Sequence, residues 1–164
     1  MKRILFTLFM AMPLLLMAQG IAVYDAQAVF NAMSEKAQAE AKLQATSAKL
    51  QAEYKQMQDE FNIKYADYQT LAADPETPAT IKERRMQEVQ ETDKKIQAFQ
   101  HRAEAELNQQ RDELTAPLRA AIQAAVKEVG DESGYAVILD RSQAHYIGAA
   151  TPDVTARVKA KLGL

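Results

Sequence analysis

The sequence predicts a mainly α protein with a small β part, organised around a long antiparallel coiled-coil hairpin. Three observations carry this. From Ser34 to Val129 apolar residues recur at intervals of three, four or seven, the spacing of a stripe along a helix and not the alternation of a strand. No glycine falls in that span. Its one break, Ala73-Asp74-Pro75-Glu76-Thr77-Pro78, sets two prolines within four residues, which ends one helix and starts another.

Taken in order, residues 1–18 read as a cleaved signal peptide. Lys2 and Arg3 form a basic start, Ile4 to Leu16 an apolar stretch, and Ala18 a small residue suited to cleavage. The apolar stretch is shorter than the ~20 residues that span a bilayer, which disfavours an uncleaved anchor. No Cys follows it to accept a lipid. Export is therefore expected. Loss of Lys2 and Arg3 leaves 18 basic residues against 22 acidic, a balance of −4. With no Cys, stability cannot draw on disulfides.

Residues 34–129 form the limb, with its tip at 73–78. The first arm carries Leu43, Leu50, Tyr54, Met57, Phe61, Tyr65, Tyr68 and Leu71. The second continues from Ile81 through Val89, Ile96, Phe99, Leu107, Leu114 and Leu118 to Val129. Helix formers fill the positions between. Arms of ~40–50 residues at ~1.5 Å per residue reach ~60–75 Å, too long for a compact core, so the hairpin must project from something. Pro117 lies inside the second arm and removes a backbone donor, so a kink near the base is expected.

Residues 19–33 and 130–164 should form the body at the root of that limb. Ile21 to Asp25 is a short β-rich run, and Ala26 to Met33 can continue into the first arm. Gly130 and Gly134 bracket the end of the second arm. Tyr135 to Asp140 reads as a strand, Arg141 to Gln143 as a turn, and Ala144 to Ile147 as a return strand. Thr151-Pro152-Asp153 should start a last helix with Val154, Val158 and Leu162 on one face. Three short strands bury too little alone and expose both edges. Apolar residues near 120–129 also spread wider than one seam requires. Both features point to self-association through Val23, Ile122, Val126, Val129, Val137 and Leu139.

Catalysis finds no constellation here, and no catalytic, cofactor or metal residues are assigned. The two histidines, His101 and His145, stand alone, and Ser133 lies in no nucleophile elbow. Glu104 and Glu106, two apart on a helix, point different ways. The stretch Lys82, Arg84, Arg85, Lys94 and Lys95 is interleaved with acidic residues, which favours a solvated face of (i, i+4) pairs over an anion site. A net negative exported chain makes nucleic acid a poor partner.

Ile21-Ala-Val-Tyr-Asp with Phe30, the polar hairpin, Gly134-Tyr-Ala-Val-Ile-Leu-Asp140, Ala144-His-Tyr-Ile147 and Asp153-Val-Thr together resemble the periplasmic Skp (OmpH-like) chaperones. The resemblance covers essentially the whole chain after the leader. It implies a homotrimer with a small β-barrel body and three hairpins around a cavity. It implies ATP-independent capture of unfolded outer-membrane proteins, and the absence of a phosphate-loop motif agrees with that.

Two departures stand out. Well-known members are strongly basic, unlike this chain. Their proposed lipopolysaccharide site has an arginine pair shortly after an Ala-Phe; aligned on Ala98-Phe99, those positions hold Ala105 and Glu106. That site is not carried over, and at most a weak membrane or lipopolysaccharide contact is expected. Most of the apolar stripe belongs to the seam between arms. Client contact is expected from Ile63, which points away from the seam, and from Tyr65 and Tyr68 at its edge near the tip; flexible Met57 and Met86 could adapt to many partners. The alternative is an exported structural spacer or tether, whose surface outside the seam would be uniformly polar.

Overall fold

The computed structural model describes residues 20–164; the signal peptide expected at 1–18 lies outside them. The chain runs β1 (Ile21–Tyr24), α1 (Ala26–Ala32), α2 (Ser34–Ala73), α3 (Ala79–Ser133), β2 (Val137–Asp140), a short 3-10 turn (Arg141–Gln143) and α4 (Thr155–Lys161). It is mostly helical with a two-stranded sheet.

Helices α2 and α3 pack antiparallel. The tip between them is tied by side chains on its own backbone. The Asp74 carboxylate accepts from the Glu76 amide at 3.0 Å and the Thr77 hydroxyl at 2.8 Å. Lys82 Nζ reaches back to donate to the carbonyls of Ala72 and Asp74, at 3.1 and 2.8 Å. A cation on the last carbonyls of α2 satisfies acceptors that a helix end leaves open and complements its dipole. Down the seam Leu50, Val89 and Phe99 are buried, and the Tyr54 ring stacks on Phe99 at 6.4 Å. Cross-links Tyr54 to Gln100 and Glu53 to Arg102 hold the arms level.

Helix α3 has 55 residues against 40 in α2, so its last turns run past the seam into the body. There Leu118, Ile122, Ala125 and Val129 pack with Val29 of α1 and with Val154 and Val158. Gly134 ends α3 in the left-handed region at φ 68°, where a Cβ would clash with the neighbouring carbonyl, and its N–H donates to the Gly130 carbonyl. Helix α4 is clamped onto this end through Lys161, whose ammonium meets both Glu128 and Glu132.

Strands β1 and β2 are parallel, with Ile21 beside Val137 and Val23 beside Leu139. The whole limb is their crossover, which a parallel pair requires. The other edge of β1 bonds to residues 152–154: Val23 N–H donates to the Pro152 carbonyl at 2.9 Å, and Val154 N–H to the Val23 carbonyl at 2.8 Å.

Four expectations are corrected. Residues 26–33 do not run straight into the first arm. Met33 breaks the helix at ψ 129°, because α1 must lay Val29 on the body core while α2 follows the seam. The return strand at 144–147 does not form. The 3-10 turn leads the chain off β2, and the third strip of the sheet is 152–154, on the β1 side. For that reason α4 starts at Thr155 and not at Thr151. Finally, the wide apolar surface at 120–129 is covered largely within the chain. Val23, Ile122 and Val129 are already buried within the single chain.

Candidate functional site

The heptad seam of α2 decides which side chains of the limb face outwards. Residues 57, 61, 64, 68 and 71 turn towards α3, so 63 and 65 fall on either side of the stripe. Ile63 is 71% exposed and Tyr65 43% exposed. Both lie outside the apolar contact that makes the hairpin. The Tyr65 ring stacks on Phe61 at 5.9 Å with planes 7° apart, which fixes it as a flat apolar plate beside the seam. Tyr68 is half-buried and lines a shallow groove with Lys82, Met86 and Gln87. The fold thus joins Tyr65 to Phe61 and Tyr68 to Met86, while Ile63 stands apart on another face. Met57 is half-buried in the seam.

Ile81 adds to this surface. The spacing alone places it in the seam, but it is 41% exposed. It sits in the first turn of α3, where α2 has ended and nothing remains to cover it. Position three residues after Pro78 was the available signal.

The basic stretch nearby is consumed by its own carboxylates. Arg84 and Arg85 both pair with Glu88, at 3.1 and 2.7 Å, and Arg85 also meets Asp67 at 3.5 Å. The hydrogen bond from Arg85 holds the Glu88 carboxyl below its ordinary range. At the tip, the bonds from Thr77 and from the Glu76 amide do the same for Asp74. With Lys82 turned onto backbone carbonyls, this face is a laced helix surface and offers no anion site.

At the root, a groove of about 780 Å³ opens between Tyr24, Phe30, Arg119, Asp140 and Arg141. Burial, and then the charge of Asp140, raise the Tyr24 hydroxyl above its usual pKa. The groove mixes both charge signs and brings no nucleophile against a base. Among the described residues no group of His, Asp and Glu has metal-binding geometry. Nor is any helix long and apolar enough to cross a membrane.

The expected association residues separate into two sets. Ile122 and Val129 are core, with Val126 packed partly buried against it, while Val23 is buried outside that cluster, on the sheet face it shares with Ile21 and Leu139. Val137 and Leu139 are exposed, side by side on one face of β2, with exposed Ile21 next to them on β1. The opposite face of the sheet, with Ala22 and Ile138, covers the core. The little sheet therefore has one spent face and one open apolar face.

Comparison with known proteins fits this architecture. The family model described as outer membrane protein (OmpH-like) matches residues 20–162. The crystal structure of an OmpH-like protein from Caulobacter crescentus CB15, assigned as an outer membrane chaperone, superposes with a TM-score of 0.68 at 14% identity; the match covers 87% of this chain and 83% of that one. That likeness carries the fold. No curated protein matches the chain by sequence. OmpH-like proteins are chaperones and not enzymes, and work in the periplasm. With nearly all of its described residues matched, this chain belongs to the OmpH-like family.

Proposed function

We propose that the protein is an ATP-independent periplasmic holdase. It takes up unfolded outer-membrane proteins between the helical limbs of a homotrimer and keeps them from aggregating. The observation that carries this reading is the exposure of Ile63 and Tyr65 outside the seam of the limb. A spacer or tether would be polar everywhere except along the seam, and these two side chains run against that. Large apolar groups on a convex helix surface accept many sequences, since no shaped pocket selects among them. Each contact is weak, and a cavity lined by three limbs holds through several at once and releases without an energy source.

The trimeric body is supported by the open face of the sheet. Two strands of four residues are below the size that stands alone, and Ile21, Val137 and Leu139 expose apolar surface that a copy of the same chain would cover. The test is dilution of a urea-unfolded β-barrel protein into nucleotide-free buffer with the mature chain, followed by light scattering. Suppression is expected, and added ATP should change nothing. Replacing Ile63, Tyr65 and Tyr68 together by Ser should lose much of the suppression while helix content holds by circular dichroism. A spacer would leave scattering untouched in both proteins.

A further inference from the structure

Midway along the limb an apolar groove of about 360 Å³ runs beside the seam, floored by Leu50, Tyr54, Phe99 and Leu107. It lies well below the tip, separate from Ile63, Tyr65 and Tyr68. Leu50 and Phe99 are buried and the Tyr54 ring is stacked on Phe99, so the floor is fixed by the seam. The rim is polar. Gln100 Nε2 donates to the Tyr54 hydroxyl at 2.9 Å, and Gln51 and Ser47 stand on the opposite bank.

The charge around this groove is net negative. Arg102 lies over the Phe99 ring at 5.1 Å from its centre, but its charge is matched by Glu53 at 3.1 Å. Glu104 is the one charged side chain lining the groove, and among the described residues it forms no ion pair. An apolar floor beside a lone exposed carboxylate suits an aromatic or large aliphatic side chain next to a cation. Rim amides and a hydroxyl offer partners to an extended peptide backbone. An anionic lipid would meet like charge.

Resting on the holdase reading, we propose that this groove is a second client subsite, which takes an apolar side chain flanked by Lys or Arg from an unfolded segment. The limb then grades clients by local charge: acidic neighbours are disfavoured at the groove and basic ones favoured. An exposed ion pair contributes only a few tenths to ~1 kcal/mol, so the preference is about threefold at low salt.

The probes are two labelled peptides of Ser, Gly and Ala with a central Phe, flanked by Lys in one and by Asp in the other. Fluorescence anisotropy with the full mature chain should show the Lys-flanked peptide binding about threefold tighter. Glu104→Gln should erase the preference, and Glu104→Lys should invert it. Ser47→Trp, which fills the groove, should weaken both peptides about tenfold, a loss on the scale of one buried apolar side chain. Helix content is checked for each variant.

A preference that survives Glu104→Gln would overturn the proposal. So would unchanged peptide affinity in Ser47→Trp, or a fatty acid bound in the groove while neither peptide is. The holdase reading is tested apart from this. Glu104→Gln should still suppress aggregation of a full-length β-barrel protein through its other contacts, whereas failure of the wild-type chain to do so would count against holding itself.

Discussion

Lys64 Nζ donates to Thr92 Oγ1 at 3.0 Å across the seam. Thr92 is only 2% exposed, and its hydroxyl donates in turn to the Glu88 carbonyl at 2.9 Å. Lys64 holds a heptad position, reached by steps of three and four from Leu50 through Met57 and Phe61, while its ammonium also meets Glu60 at the surface. A lysine in such a layer fixes register at a cost in stability.

That cost can be measured. Lys64→Met leaves no orphan, because the Thr92 hydroxyl keeps its carbonyl partner. The new side chain buries apolar surface where a side chain one-third exposed now snorkels. Urea unfolding should show a gain of about 1 kcal/mol. Thr92→Val should be nearly neutral, since a lost bond of ~1 kcal/mol is offset by a buried methyl of similar value. A clear loss of stability in Lys64→Met would mean that the bond is a net stabiliser and not a register device.

A second prediction follows from acid. Asp153 accepts from the Thr155 hydroxyl and amide and from Arg141, and these bonds, Thr155 first, hold its carboxyl below the ordinary 3.8. A depressed folded pKa means that the stabilisation is fully present above ~4. It is lost as pH falls through the folded value. Asp153 anchors the strip that pairs with β1, so its protonation should loosen the body. Asp153→Asn should flatten the dependence of the melting temperature between pH 5 and 3. An unchanged slope in that variant would remove Asp153 from the account.

How far the sequence reveals this architecture depends on the kind of order involved. The stripe from Leu50 to Leu71 is local and periodic, so it can be read without the fold. Lys64 cannot: nothing in a Lys says that its stem will lie in a seam and its head beside Thr92. The helix break at Met33 is equally silent, because Ala26 to Met33 has helical composition and only the competing demands of body and limb divide it. The wide apolar surface at 120–129 is legible as a surface that must be covered. What covers it is decided by α1 and by a chain end more than 30 residues away, which no spacing encodes. Ile63 and Tyr65 are the opposite case. For Ile63 exposure follows from seam phase alone, while Tyr65, four residues from Phe61, falls at the edge of the same stripe. The mid-limb groove stays hidden, since each residue of its floor also reads as seam.

Charge should matter little to client holding as a whole. From Ser34 to Ala72 there are five basic and six acidic residues, and from Ala79 to Val129 nine of each. The cations nearest the tip are occupied: Arg84 and Arg85 by carboxylates, Lys82 by carbonyls. Long-range attraction is therefore weak, and apolar contact, which moderate salt does not weaken, is the main term. Affinity for an unfolded client should change less than about threefold from ~10 mM to half-molar salt, a range that shortens the screening length from ~30 Å to a few Å. A steep fall would assign capture to charge pattern instead.

The last prediction separates association from folding. Val137 and Leu139 share the open face of β2, while Ile122 is buried in the chain's own core. Charges on the first pair meet water in a single chain and are costly only if a second copy covers them. Val137→Glu with Leu139→Glu should therefore yield a monomer with most of its helix intact, read by sedimentation and circular dichroism. Ile122→Asp should unfold the body, since a carboxylate 5% exposed among Val29, Leu118 and Val158 has no partner. The two outcomes differ because one substitution attacks an interface and the other a core. Should the double Glu variant sediment as the wild type does, the open face of the sheet is not where the copies meet. The avidity on which weak, reversible capture depends would then need another way of bringing limbs together.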